Sequence, residues 1–211
     1  MPSYPTSRAP DSVMRTNRAR LAAVLALILG LLCTRTSNHV QGRMIDCHHF
    51  PNWEPAECEQ TSDGSIVLSR KSLADITFRP EGLGSVIVDD RGLYFVSRRG
   101  RTALAFMFDN GADYVVEGVT RTVKDGKIGF VDTQLDEVVA PVWDLAFPFK
   151  RGVAQVCVGC VSVPVFPGDE HRIMTGGRWG YINKRGKVIV PVVYDSRSLP
   201  PPELAAKRAV Q

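Results

Sequence analysis

Apolar and polar positions alternate in the last third of the chain, where glycines interrupt the pattern. In residues 177–195, Trp179 and Tyr181 precede a Lys-Arg-Gly turn, and a valine-rich segment follows it. Aromatic and β-branched residues at every second position favour β-strands. Gly186 can adopt the positive φ that a three-residue hairpin loop requires. The pattern therefore predicts two antiparallel strands joined by a glycine turn.

Two weaker copies of this hairpin precede it in the sequence. In each copy the turn residue stands eight positions before an aromatic residue that is followed by aspartate. The three sets are Gly100 with Phe108 and Asp109, Leu135 with Trp143 and Asp144, and Gly186 with Tyr194 and Asp195. A third apolar segment, residues 114–119 or 149–156, follows each of the first two hairpins. Such repetition predicts tandem structural units.

The spacing of the copies is uneven. From position 108 to position 143 is 35 residues, and from 143 to 194 is 51 residues. The extra length falls in residues 157–176, which we interpret as an insertion between the last two copies.

Residues 177–195 resemble the WG repeat family of bacterial proteins. Units of that family read roughly G-K-W-G-Y-I-D-x-x-G-K-x-V-I-P-P-x-Y-D and continue into an F-x-E-G-L-A-x-V strand. Residues 125–156 match this pattern with Ile128 in place of the Trp, and residues 91–123 match it more weakly. Residues 78–83 resemble the third segment of another copy whose front half is missing.

The positions that define the repeat are Phe108, Asp109, Gly129, Phe130, Trp143, Asp144, Trp179, Gly180, Tyr181, Gly186, Tyr194 and Asp195. The resemblance implies an all-β array of tandem antiparallel β-hairpins in three-stranded repeat units. The family has no established catalytic residues, so none are transferred to this chain.

The repeat aspartates and two prolines have structural interpretations. An aspartate at the end of a strand can accept hydrogen bonds from the backbone N–H groups that follow it. Pro141 and Pro191 are expected to end strand pairing and to discourage edge-to-edge association.

The first third of the chain differs from the repeats. Arg15, Arg18 and Arg20 precede an apolar run at residues 21–33. Thirteen residues are too few for a membrane span, which needs about 20, but they suit the helix of a secretory signal peptide. We therefore expect a periplasmic or secreted protein, with retention of residues 21–33 as a membrane anchor as the alternative.

Four segments follow from these patterns. Residues 1–42 are a polar extension and signal peptide, and residues 43–77 are a disulfide-clipped segment. Residues 78–195 are the WG-like repeat domain, and residues 196–211 are a C-terminal tail.

Charge argues against nucleic acid as a partner. Five of the 26 basic and one of the 22 acidic residues lie in residues 1–42, which leaves 21 of each in the rest of the chain. A neutral domain has no net attraction for nucleic acid or for an anionic membrane surface.

Four cysteines follow the apolar run: Cys47, Cys58, Cys157 and Cys160. An even number of cysteines in an exported chain favours disulfides. We predict the local pairing, Cys47 with Cys58 and Cys157 with Cys160. The alternatives are a metal site at Cys157 and Cys160, with Cys47, His48, His49, Cys58 and His171 as spare ligands, or a redox-active dithiol at the same two cysteines.

No catalytic motif is recognisable in the sequence. Residues 167–172 contain Asp169, Glu170 and His171, which could perform acid–base chemistry, but we interpret them as a solvated loop. The predicted function is a non-enzymatic binding or scaffolding module for a protein or glycan partner in the cell envelope, without cofactor or metal. The alternative is a small periplasmic metal- or thiol-handling protein that uses Cys157, Cys160 and nearby histidines.

Overall fold

Residues 42–209, which the computed structural model describes, form fifteen short strands and two helices. The strands are β1 (Arg43–His49), β2 (Pro55–Gln60), β3 (Ile66–Leu68), β4 (Leu83–Val88), β5 (Gly92–Ser97), β6 (Thr102–Leu104), β7 (Met107–Phe108), β8 (Gly111–Ala112), β9 (Val119–Lys124), β10 (Lys127–Asp132), β11 (Glu137–Trp143), β12 (Leu145–Ala146), β13 (Val153–Pro164), β14 (Arg172–Asn183) and β15 (Val188–Tyr194). The helices are α1 (Arg70–Ala74) and α2 (Pro202–Ala209). The predicted all-β class is confirmed, and the predicted signal-peptide helix lies outside the described residues.

The strands form antiparallel sheets of neighbouring segments. Six strands pair in the order β3-β2-β1-β4-β5-β6, three in the order β11-β10-β9, four in the order β12-β13-β14-β15, and β7 pairs with β8. The predicted three-stranded units are present as β9–β11 and β13–β15, and β4–β6 repeats the arrangement inside the six-stranded sheet. Each unit combines a third segment with the hairpin that follows it in the sequence, so the sheet unit is offset by one strand from the sequence repeat.

The same three-residue loop closes four hairpins. In the last one, the Asn183 N–H donates to Lys187 O and the Gly186 N–H donates to Asn183 O, both at 2.9 Å. The Asn183 side chain also accepts from the Arg185 and Lys187 N–H groups. The equivalent positive-φ residues of the four loops are Gly64, Gly100, Leu135 and Gly186.

The first of these four loops belongs to a copy that the sequence did not reveal. Thr61 N–H donates to Ser65 O at 3.0 Å and Gly64 N–H donates to Thr61 O at 2.9 Å, as in the other loops. The hairpin β2–β3 therefore supplies the front half that we expected to be missing before residues 78–83. Because β1 pairs with β4, residues 43–68 share one sheet with the first predicted copy.

The strands β9 and β13 begin later than the predicted segments 114–119 and 149–156. Glu117 and Gly118 both have positive φ, 52° and 86°, and form a tight turn that precedes β9. Residues 151–152 do the same before β13. A two-residue turn with φ positive at both positions matches the twist of the flanking strands, so these glycine-containing segments form turns instead of strands.

A buried ion pair fixes the region between β8 and β9. The Arg121 guanidinium donates to both carboxylate oxygens of Asp113, at 2.6 and 2.9 Å, and to Ala146 O at 3.0 Å. Both side chains are almost fully buried, and the guanidinium lies 4.1 Å from the centre of the Phe106 ring. The pair joins the end of the first copy to β12 of the next.

Candidate binding groove

The glycine of each Trp-Gly pair serves close backbone packing. A Cβ at Gly180 would lie 2.5 Å from Val190 O and 2.8 Å from Pro191 O. A Cβ at Gly129 would lie 2.6 Å from Val139 O. Real Cβ atoms do not approach other atoms so closely, so only glycine lets the hairpin's second strand cross the first at this point.

The prolines of those second strands do not end pairing. After a register shift, β11 continues to the pair Ile128–Trp143 and β15 to the pair Trp179–Tyr194. The expectation that Pro141 and Pro191 stop the strands is therefore wrong. Each proline stands at an irregularity of the ladder, where its missing N–H removes no ladder hydrogen bond.

The repeat aromatic residues are mostly core residues. Phe130, Trp143, Phe149 and Trp179 share one buried cluster, and the rings of Phe130 and Phe149 have centroids 4.6 Å apart. Trp179 Nε1 donates to Gly176 O at 2.9 Å. Phe108 is the exception, because it lies exposed on the short strand β7 beside Tyr114.

Two of the repeat aspartates hold ion pairs and not the expected contacts with the next backbone N–H groups. Asp144 pairs with Lys127, and Asp195 pairs with Arg178 at 2.6 Å. In both copies the cation stands one residue before the position of the repeat Trp. The hydrogen bond from Lys127, followed by the one from the Gly159 N–H, lowers the pKa of Asp144 below its ordinary value.

The cysteines pair as predicted, Cys47 with Cys58 and Cys157 with Cys160, each with a Cα–Cα distance of 6.1 Å. The first pair joins β1 to β2, and the second lies within β13 at the base of a long ribbon formed by β13 and β14. Gly159 between the two cysteines has φ +76°, which interrupts the extended strand. This ribbon is the predicted insertion.

The candidate acid–base residues lie at the far end of that ribbon. His171 Nδ1 is 3.0 Å from Asp169 Oδ1, and the His171 side chain is 90 % exposed. The Val165 N–H donates to His171 O, so His171 lies beside Val165. Val165 is five residues along the chain from Cys160. Five residues span about 16 Å in a strand, so His171 does not reach the cysteine pair.

Two further observations concern sites within residues 42–209. Those residues contain no group of three or more His, Cys, Asp or Glu side chains placed to hold a metal ion. None of their helices is long and apolar enough to cross a membrane.

A surface groove of about 440 Å³ lies beside the last repeat. Its lining comes from four separate segments and is mainly apolar: Val116, Phe147, Pro148, Phe149, Lys150, Val153, Gln155, Tyr181 and Pro202. Three other grooves of the described chain hold about 220, 230 and 260 Å³. Of these four, the groove beside the last repeat alone reaches the range of about 300–1,000 Å³ that is usual for ligand pockets.

Phe147 is the exposed ring of this groove. It is 45 % exposed, and its centroid lies 6.3 Å from that of the buried Trp179. The Phe147 N–H donates to Gln155 O at 2.9 Å, which holds the segment against β13. Burial raises the pKa of the phenol of Tyr181, another lining residue, and the Glu203 carboxylate raises it further.

Of the groove residues, only Tyr181 was among the repeat-defining positions, and Val116 and the lining residues between 149 and 155 were predicted only as parts of the third segments. A local signal existed in the Phe-Pro-Phe run at residues 147–149, which places two aromatic rings next to a turn. Its partners Val116 and Pro202 are more than 30 positions away on either side, and no local pattern links them.

Comparison with known proteins agrees with the repeats found in the sequence. The family model of the WG containing repeat matches residues 128–159 and 179–196. No curated protein and no solved structure matches the chain significantly. The matched segments contain β10–β15 apart from the ribbon, together with Phe147, Phe149 and Tyr181 of the groove. The chain therefore contains WG repeats, at residues 128–159 and 179–196.

Proposed function

We propose that this protein is an exported, non-catalytic binding or scaffolding module that holds a protein or glycan partner in the cell envelope. The observation that carries the proposal is the apolar groove around Phe147. An exposed aromatic ring held in place by packed neighbours is the kind of side chain that contributes most to binding energy. Residues 21–33 and the arginines before them support export.

The repeats explain why a binding role is favoured over a catalytic one. The positions shared between copies hold turns, close strand crossings and ion pairs, so their chemistry serves the fold. The candidate acid–base residues Asp169 and His171 lie at the tip of the ribbon and do not line the groove; the His171 side chain is exposed, whereas that of Asp169 is largely buried. Repeat arrays of this type offer extended surfaces to partners.

Capture from a cell-envelope extract tests the proposal. The tagged protein is compared with Phe147→Asp and with Phe166→Asp, since Phe166 is a second exposed phenylalanine, 62 % exposed, that does not line the groove. We expect a specific envelope component to be retained by the wild type and by Phe166→Asp but lost with Phe147→Asp. Equal retention of the component by all three proteins would show that the groove is not the binding surface.

Export is tested separately by cell fractionation and by sequencing of the mature N-terminus. A protein found in the periplasm or medium, starting after residue 33, supports export with signal cleavage. A membrane-bound protein that keeps residues 21–33 supports the anchor instead, and a cytoplasmic protein contradicts the proposal.

The second candidate is a metal- or thiol-handling protein that uses Cys157 and Cys160. The short spacing of the two cysteines favours it, while the pairing of all four described cysteines and the remote position of His171 count against it. Thiol titration and metal analysis of the purified protein separate the two candidates. Two reactive thiols at Cys157 and Cys160, or stoichiometric zinc or copper, would favour the second.

A further inference from the structure

We propose that the face of the last repeat unit formed by Val153, Tyr181 and Val190, here called the terminal face, is a docking site for the Gly64 hairpin loop of a second copy of this chain, and that α2 covers this site. Such self-association goes beyond the proposed function and does not depend on it. The contacts that join one repeat to the next within the chain itself indicate what a face of this kind binds.

Each later hairpin loop packs against the copy that precedes it. A Cβ on Gly186 would lie 3.4 Å from Val139 Cγ1 of the preceding copy, and a Cβ on Gly100 would lie 3.1 Å from Leu73 Cδ2 on α1. Leu135, at the same loop position, is buried among side chains of β5 and β8. The chain therefore repeats one kind of contact three times, as expected of an array in which each unit packs on its neighbours.

On the last copy, α2 takes the place of a loop. Val139 pairs with Phe130 across its hairpin, and the equivalent pair of the last copy is Val190 with Tyr181. Val139 contacts the next loop, whereas Val190 and Tyr181 are buried in one cluster with Ala205 of α2. The terminal face is therefore of the kind that receives a hairpin loop in the copy before it.

The cover that α2 provides is slight. Between residues 202 and 207, Ala205 alone is buried, and Leu204 on the same helix is 51 % exposed. Ala206 and the preceding Leu199 pack only partly against the cluster. A helix of eight residues is unstable in water without such packing, so a better-fitting segment can displace it from the terminal face.

The loop at Gly64 has no preceding copy to pack against. Among the described residues, a Cβ on Gly64 would have only Gln60 Nε2 within 4 Å, at 3.8 Å, and Gln60 belongs to the same hairpin. Residues 62–65 are exposed. The loop has the same two backbone hydrogen bonds as the loop at Gly186, so its backbone already has the conformation that docks on a preceding copy.

Charge matches this loop to the terminal face. Between the last two copies, Lys184 of the docked loop donates to Glu117 O at 2.7 Å, and its ammonium lies 3.2 Å from the Glu117 carboxylate. Arg151 stands at the equivalent turn position of the last unit, with φ of 55° against 52° for Glu117. The Gly64 loop carries Asp63 and no basic residue. Because both charges are reversed, Asp63 and Arg151 would form the corresponding pair.

Sedimentation velocity of the purified full-length protein tests the proposal. Ala205→Asp places a charge against the terminal face and releases α2, so this variant should self-associate with rising concentration while the wild type does not. Leu204→Asp changes an exposed position of the same helix and is the matched control, which should behave as the wild type. All variants retain residues 21–33, so any association through that apolar run is common to all of them.

Charge reversal identifies the two surfaces. In the Ala205→Asp background, Asp63→Lys should weaken association by about tenfold or more, because like charges would meet across the interface. Addition of Arg151→Asp to that variant should restore association. Self-association that does not respond to Asp63→Lys, or that Arg151→Asp does not restore, would overturn the proposal.

Hydrogen–deuterium exchange shows which residues are covered. In Ala205→Asp, residues 202–207 should lose protection, and residues 61–65 should gain it as the concentration rises. A monomeric variant whose α2 has lost its protection would contradict the docking site, as would protection gained only in the ribbon at residues 158–178. If α2 keeps its protection, a chain that ends at residue 198 lacks the helix and is tested in the same way.

The outcomes separate this docking site from the proposed function. If no variant self-associates while capture from the envelope extract still depends on Phe147, the binding module stands and the docking site fails. If association follows the charges at positions 63 and 151 while capture does not depend on Phe147, the docking site stands without the proposed partner.

Discussion

Leu135 and Gly186 occupy the same position of the same hairpin loop, with φ of +60° and +73°. Each donates its backbone N–H to the carbonyl of the residue three positions earlier, at 3.0 and 2.9 Å. A leucine in this left-handed conformation is strained by about 1–2 kcal/mol. It is tolerated because its side chain is buried in a cluster with Leu93 and Phe95, which offsets that cost.

Replacement of Leu135 should therefore reduce stability, even when the new residue is glycine, which adopts the loop conformation without strain. Leu135→Gly removes the backbone strain but also a buried leucine side chain, whose truncation in a core costs about 2–5 kcal/mol. We expect a net loss of about 2 kcal/mol in the free energy of unfolding, measured with urea. A more stable Leu135→Gly protein would show that the strain outweighs the packing.

Gly180→Ala should be much more damaging than an alanine at a glycine of the turns. The new Cβ would meet the backbone of Val190 and Pro191 at less than 3 Å. Overpacking of this kind costs about 1–3 kcal/mol or more, and here the obstructing atoms are backbone. We expect unfolding of the last hairpin or a fall of at least about 3 kcal/mol in stability.

Gly152→Ala is the matched control for that experiment. Gly152 has φ +77°, but a Cβ added there would have no atom within 4 Å, so only conformational strain is added. The expected cost is about 1 kcal/mol. Equal losses in the two variants, measured by urea or thermal unfolding, would contradict the close-crossing role of Gly180.

Loss of the buried ion pair between Arg121 and Asp113 should reduce the free energy of unfolding more than loss of the exposed pair between Arg178 and Asp195. Asp113→Ala leaves an unpaired guanidinium in the core, which costs about 3–5 kcal/mol. Asp195→Ala removes an exposed pair that contributes about 0–1 kcal/mol. Chemical denaturation of both variants tests this order, and similar small losses would show that water reaches Arg121.

Protonation of Asp144 should reduce the stability of the folded protein in acid. Its pKa is lowered in the folded protein, chiefly by the Lys127 hydrogen bond and then by the Gly159 N–H. A group with a lowered folded pKa stabilises the protein above its unfolded pKa, which is about 3.9 for aspartate, and this contribution is lost as pH falls towards the folded value.

Urea midpoints at about pH 6 and about pH 2.5, on either side of the unfolded pKa, measure this contribution. The wild type should lose more stability between the two pH values than Asp144→Asn, whose side chain does not titrate. Asp195→Asn serves as the control, because it removes a repeat aspartate whose ion pair with Arg178 is open to solvent. If Asp144→Asn loses as much stability between the two pH values as the wild type does, Asp144 is not a source of the acid sensitivity.

The features that the sequence predicted correctly are those set by residues close together in the chain. The loops at Gly100, Leu135 and Gly186 depend on residues within five positions of one another, so they were predictable from spacing. The local cysteine pairs follow from short separations in the same way. The loop at Gly64 was missed because the positions eight and nine residues after it are Ser72 and Leu73, where the other copies have the aromatic–aspartate pair.

The sequence by itself determined the antiparallel β class, the hairpin loops and the WG-repeat character, because each is set by residue types a few positions apart. Tertiary structure alone decided that Gly180 must lack a side chain, that Asp144 pairs with Lys127, and that Val116, Phe147, Tyr181 and Pro202 line one groove. Those relations join segments whose distance in space depends on how strands cross and sheets pack, and no local pattern of residues contains that information.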